Sequence, residues 1–310
     1  MHHAGPVGIT SFLKLPIIEN LSNLNTDVGF LGIPYDVGNS WRPGTRFGPR
    51  EIRNYSTRYS GWGGSQQKGY WDINQNKRFL EDISMSDCGD VDVAYYDIER
   101  NRKIITQTVK KILKAGTFPV VIGGDHSITY PCICAFEDFK SLDIIQIDAH
   151  LDWIDEVDGI RYANGSPMRR SMELDFTNKM VQLGIRCIRS RESDYNFAKS
   201  QGSQIFTRQD IRQKGVDEIV EKLPPLGNVY VSIDIDGLDP SIAPGTGSPT
   251  VDGLLYYEVI NLLKGITKKS NVVGFDIVEV NPMVDLSGQT CLLATTLILE
   301  FLGMIFDQKN

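Results

Sequence analysis

Histidine is scarce in this chain of 310 residues. There are four, and two of them, His2 and His3, stand at the extreme N-terminus, where chains are least tied down. Imidazole chemistry in the body of the protein therefore falls to His126 and His150. The five cysteines (Cys88, Cys132, Cys134, Cys187, Cys291) are odd in number and lack C-x2-C spacing, which excludes a disulfide framework and a cysteine-rich zinc site. They read as buried thiols of a protein in a reducing, cytoplasmic location.

Excess positive charge is also missing. The net charge of -7 argues against a nucleic-acid partner. Met1 to Lys14 has neither a basic start nor a long apolar core, so no signal peptide is expected. The most apolar stretch, Cys291 to Phe306, is interrupted by Thr295, Thr296 and Glu300. It falls short of a membrane span and reads as a buried C-terminal helix, so no membrane partner is expected. A nucleotide site is poorly supported as well, since no P-loop occurs and Thr250 stands where a glycine fingerprint beginning at Gly245 needs its third glycine.

What is present is an alternation of apolar, β-rich runs and helical periods. Strands are predicted at Val28 to Ile33, Phe118 to Ile122, Asp143 to Ile147, Met180 to Ile185, Gln204 to Thr207, Val229 to Ile233 and Val272 to Val278. Ile98, Ile105, Val109, Ile112 and Leu113 recur with helical spacing, as do apolar residues from Leu254 to Ile266. This predicts an α/β fold: a three-layer αβα sandwich with a central, mainly parallel sheet. One continuous series of motifs argues for a single domain over residues 1–310, with the order of residues 1–26 left open. Gly64 to Asn76 reads as a solvated connection or as a surface loop near the site.

Both body histidines lie in acidic motifs that close apolar runs. His126 follows Gly123-Gly124-Asp125; His150 sits in Asp148-Ala-His-Leu-Asp152; and Asp234-Ile-Asp236 precedes Gly237-Leu-Asp-Pro240. At a strand end, residues i, i+2 and i+4 project to one side, so Asp148, His150 and Asp152 converge, as do Asp234 and Asp236. Four carboxylates in one crevice repel one another unless cations neutralise them. Two divalent ions bridged by carboxylates would do so and would hold a shared water as hydroxide. The oxygen-rich set with two imidazoles favours Mn(II), with Ni(II), Co(II) or Zn(II) as alternatives.

The segments Gly123-Gly-Asp-His-Ser127, Asp148-Ala-His-Leu-Asp152 and Ser232-Ile-Asp-Ile-Asp-Gly-Leu-Asp-Pro240 resemble the three signatures of the ureohydrolases, the arginase and agmatinase family. The resemblance runs from about Gly29 to Gly303 and includes Arg42 to Arg50, Gly245 to Pro249 and Asp276 to Pro282. It implies an arginase-like fold, a homo-oligomer of three or six copies, and a binuclear centre that hydrolyses a guanidino compound to urea and an amine. By the same resemblance, His126, Asp148, Asp152 and Asp234 hold one ion, and Asp148, His150, Asp234 and Asp236 the other. Glu279 pairs with the guanidinium, and Asp152 handles the proton.

One position departs from the family. Where these enzymes usually carry a proton-shuttling histidine downstream of the Asp148 motif, this chain has Asn164, which does not titrate near neutral pH. Proton transfer through Asp152 and water, a different substrate, and a weak or non-catalytic metal-binding homologue or subunit all remain open. Agmatinase-type activity leads. Hydrolysis of guanidinobutyrate, guanidine or a substituted guanidine stands beside it, because Gly165 to Arg170 resembles the branch with those members. Asp155, Glu156 and Asp158 either greet a cationic substrate tail or form a solvated acidic loop.

Overall fold

The computed structural model describes residues 7–39, 41–60 and 68–308. His2, His3 and the start of the Gly64–Asn76 stretch lie outside the described residues. Among the described residues ten strands occur: β1 (Val28–Ile33), β2 (Lys68–Asp72), β3 (Lys77–Glu81), β4 (Met85–Asp90), β5 (Phe118–Gly123), β6 (Leu142–Ile147), β7 (Thr177–Ile185), β8 (Gln204–Thr207), β9 (Asn228–Asp234) and β10 (Asn271–Val278). Eight of them form one parallel sheet in the order β4-β1-β5-β10-β9-β6-β7-β8.

Successive side chains of each strand enter opposite cores, as the strand period requires. Val120, Ile122, Ile145, Ile147, Val231 and Phe275 pack against helices Gly48–Ser56, Tyr256–Lys269 and Gln289–Asp307. Leu31, Ile33, Val121, Ile144 and Tyr230 pack on the other face with helices Ile98–Lys114 and Thr129–Cys134. The result is the expected three-layer αβα sandwich. Each of the seven predicted strands is present.

One strand was missed and two expectations need correction. β4, at the sheet edge, had no apolar run to announce it: its Asp87 is buried against Arg53, which donates to both Asp87 oxygens at 2.8 and 3.0 Å and to Asp90 at 2.6 Å. The described part of Gly64–Asn76 is not a bare connection but β2 of an antiparallel hairpin with β3. Tyr70 there stacks on Phe79, with ring centroids 5.5 Å apart, against the C-terminal helix at Gly303. That helix, Gln289–Asp307, does reach the length and apolarity of a membrane span at 19 residues, yet most of it is buried in the core with Phe301 and Leu302 fully enclosed.

Four adjacent strands, β5, β10, β9 and β6, end at the same sheet edge, and the acidic motifs follow them directly. That is the edge where open parallel sheets bind ligands. The turn after β5 passes close beneath Tyr35, whose carbonyl accepts the Asp125 N–H at 2.8 Å. A Cβ on Gly124 would stand 1.8 Å from that carbonyl oxygen. Gly124→Ala is therefore expected to lower the thermal midpoint by several degrees, through overpacking of about 1–3 kcal/mol. Calorimetry that finds an unchanged midpoint would show that the turn yields freely.

Candidate active site

The site is assembled from the ends of those four strands. β5 delivers His126, β6 delivers Asp148, His150 and Asp152, β9 delivers Asp234 and Asp236, and β10 delivers Glu279. The six proposed ligands converge. His126 Nδ1 lies 3.2 Å from Asp148 Oδ2, 2.8 Å from Asp152 Oδ2 and 3.2 Å from Asp234 Oδ2. His150 Nδ1 lies 3.4 Å from Asp148 Oδ1 and 3.1 Å from Asp236 Oδ2.

These spacings test whether cations fit. Ligand atoms around an octahedral ion at about 2.1 Å stand about 3 Å apart, which is the range observed. His126 Nδ1 is buried and makes no hydrogen bond despite three neighbouring carboxylate oxygens, as a nitrogen reserved for a metal would be. Two ligand groups result, His126 with Asp148 and Asp234, and His150 with Asp148 and Asp236. Asp148 belongs to both. Asp234 Oδ1 accepts the Asp236 N–H at 2.8 Å, which ties the two aspartates together.

The electrostatics agree. Burial, followed by repulsion from Asp148, pushes Asp152 up to about 6. Burial raises Asp234 well above the usual carboxylate range, with Asp236 and Asp148 adding to it. Glu279, 3% exposed, is pushed up to about 8 by burial and by Asp125. Without added positive charge, this crevice holds protons instead.

Buried polar chains fix the ligands from behind, and the sequence analysis missed them. His126 Nε2 is 2.9 Å from Ser232 Oγ, which donates to Asp276 Oδ1 at 2.7 Å. Asp276 Oδ2 accepts from Thr129 and Tyr230 at 2.8 and 2.9 Å. On the other side, Gln146 Nε2 donates to Asp148 Oδ2 at 2.6 Å, and Gln182 Nε2 donates to Gln146 Oε1 at 2.5 Å. Trp153 and Ser203 in turn donate to Gln182 Oε1, each at 2.9 Å. The one signal for Gln146 and Gln182 was an amide inside an otherwise apolar strand.

Glu279 is held by the backbone. Its Oε1 accepts the His126 N–H at 2.9 Å, while Oε2 is buried without a partner. Both Glu279 (φ 62°) and Asp152 (φ 56°) adopt left-handed backbone, a strained state for a glutamate that the surroundings must enforce. The next residue but one, Asn281, donates to the carbonyls of Arg42 and Pro43 at 3.0 and 3.2 Å, and its N–H bonds Gly245 O at 2.7 Å. Three of the motif segments thus interlock around Glu279.

A cavity of about 280 Å³ opens over the cluster, lined by His126, His150, Asp152, Asp234, Asp236, Glu279 and Asn164 among others. Asn164 sits where the sequence placed it, half-buried. Its loop is pinned by Tyr162, which stacks on Tyr130 at 5.7 Å and lies under the Arg102 guanidinium at 3.6 Å. Asp155 does not face a ligand: it pairs with Arg170 at 2.6 Å, Arg169 at 3.2 Å and Arg161 at 3.5 Å, so Arg169 and Arg170 serve this ion-pair cluster. Arg189 and Arg191, which the sequence reading did not single out, also line the cavity.

Comparison with known proteins places this site. Residues 26–303 match the model of the arginase family. The chain is 36% identical to a protein named mitochondrial agmatinase from Gallus gallus, covering 99% of this chain and 88% of that protein. It is 35% identical to one named mitochondrial guanidino acid hydrolase from Homo sapiens, covering 96% of this chain and 83% of that protein. Among solved structures, the proclavaminate amidino hydrolase of Streptomyces clavuligerus superposes with a TM-score of 0.86 at 32% identity, over 97% of this chain and 98% of the other. With a family match over nearly its whole length, this chain belongs to the arginase family.

Proposed function

We propose that the chain hydrolyses the C–N bond of a small linear guanidine, releasing urea and an amine, with two divalent cations held between His126 and His150. The carrying observation is Asp148, whose Oδ2 turns to His126 and Oδ1 to His150, so that one carboxylate serves two adjoining ligand groups. Asp152 and Asp234 complete the first group, and Asp234 and Asp236 the second. Mn(II) suits the oxygen-rich set best and Ni(II) is the alternative. When bound, the pair supplies Lewis acidity and an acidified water as nucleophile.

The chain's own residues divide the remaining work. Glu279 presents its unpaired Oε2 to the guanidinium, and the His126 N–H on Oε1 keeps the carboxylate plane from turning. The planar cation and planar carboxylate match in two parallel charge-assisted hydrogen bonds. Asp152 takes and returns the proton through water. Asn164 orients a substrate nitrogen or an ordered water. This reading has a single-domain chain assembling as a trimer or hexamer in the cytoplasm, a reducing compartment suited to its five free cysteines.

The cage is tested by metal analysis. Asp148→Ala is expected to lose both ions and all urea release, whereas Asp236→Ala loses only the ion beside His150. Two ions per chain retained in Asp148→Ala would remove the bridge from the account.

Glu279→Gln is expected to keep both ions and lose about 10²–10³-fold in turnover, because an amide offers no charge to the fork. Its stability should shift too. Folded Glu279 titrates near 8, above the range of about 4.3 for an unfolded glutamate. The metal-free wild type therefore loses stability as pH rises between those values, and Glu279→Gln loses less. Parallel melting curves of the two proteins across that window would remove Glu279 from the buried site.

Asn164 makes a third test. The wild-type pH–rate profile should lack a limb from a histidine at this position. Asn164→His should introduce one, raising urea release if the site is an impaired shuttle and lowering it if asparagine shapes the pocket for its own substrate. No urea from any guanidine, in either form and with either metal, leaves a non-catalytic metal-binding subunit as the better reading.

A further inference from the structure

The charge at the mouth of the cavity bears on the rest of the substrate, beyond its guanidinium. Arg189 and Arg191 line the cavity from the segment joining β7 to helix Glu192–Ser200, and both are exposed. Neither guanidinium has an ion-pair partner among the described residues, whereas Arg161, Arg169 and Arg170 share Asp155 and Glu173. Ser190 between them adds a hydroxyl to the same wall. The acidic groups that line the cavity are otherwise committed, while Glu156, Asp158 and Glu192 stand exposed beside the lining residues Val157 and Arg191. Asp155 is neutralised by three arginines, and Asp152, Asp234 and Asp236 face the two histidines. Asp194 also lines the cavity, but it is 9% exposed and lies in the first turn of helix Glu192–Ser200, where the helix N-terminus offsets a negative charge.

We infer that the substrate is a guanidino acid, its guanidinium taken by Glu279 and its carboxylate by Arg189 and Arg191 at the mouth. The inference rests on the hydrolase reading for the position of the guanidinium and goes beyond it by fixing the sign of the other end. Arginine is suited to this because its fork matches a carboxylate in two parallel hydrogen bonds. A substrate whose tail ends in an ammonium, as agmatine's does, meets two like charges there, and like charges brought together at an interface are disfavoured.

Binding and turnover should be measured separately. Calorimetric titration of wild type with 4-guanidinobutyrate and with agmatine is expected to favour the acid by tenfold or more. In the double variant R189A/R191A, affinity and KM for the acid should worsen about 10–100-fold, the range for hydrogen bonds to charged groups. Its kcat should stay within a few-fold, and agmatine should bind no worse. Added salt should weaken acid binding in wild type more than in the variant, since exposed charges are screened. Tighter binding of agmatine by wild type, or unchanged affinity for the acid in the double variant, would overturn the clamp. Arginine-dependent binding of the acid without urea release would support the clamp and sink the hydrolase reading instead, which keeps the two failures apart.

Discussion

Asp148 faces two histidines at once, and three further aspartates crowd the same sheet edge within ion-pair distance of those rings. A buried, uncompensated carboxylate costs several kcal/mol, so this edge is the most expensive part of the fold to build. The surrounding structure bears the mark of that constraint. Gln146, Gln182, Ser232, Tyr230 and Thr129 are all polar groups set into parallel strands or helix starts where apolar side chains would pack more simply. Each directs a hydrogen bond toward a ligand or the group behind it. These donors fix orientation but bring no full charge. In the proposed reading bound cations supply the positive charge, and the hydrogen-bond-free Nδ1 of His126 leaves a direction open for one.

Orientation is also imposed through the backbone. Asp152 and Glu279 both sit at positive φ, and the turn that precedes His126 fits only because Gly124 has no side chain. The left-handed backbone at Glu279 is braced two residues on by Asn281, which bonds Arg42, Pro43 and Gly245. A rigid frame of this kind suits a reaction in which a planar guanidinium must be presented at a fixed angle. In the proposed reading specificity lies on the exposed rim, where Arg189 and Arg191 stand apart from the His/Asp cluster.

The sheet was legible wherever burial on both faces forces a continuous apolar run, as in β1, β5, β6 and β9. It was illegible at β4, because an inward Asp87 paired with Arg53 looks in sequence like a loop carboxylate. The His/Asp cluster was legible because strand-end spacing brings its carboxylates and the two lone histidines to one sheet edge. Its support was not: nothing in the sequence tells that Gln146 points to Asp148 rather than to solvent. The arginine pair was hidden for a different reason, since two exposed cations at i and i+2 are ordinary surface composition until the fold sets them beside a cavity. Asp155 shows the converse, an acidic residue near the motif whose charge the fold spends on three arginines.

The central claim is that one shared carboxylate organises two cation sites. Crystals grown with Mn(II) and measured at the manganese absorption edge test it directly. The account predicts two anomalous peaks astride Asp148, one in contact with His126 Nδ1 and the other with His150 Nδ1. A single peak, or two peaks of which neither touches Asp148, would contradict it.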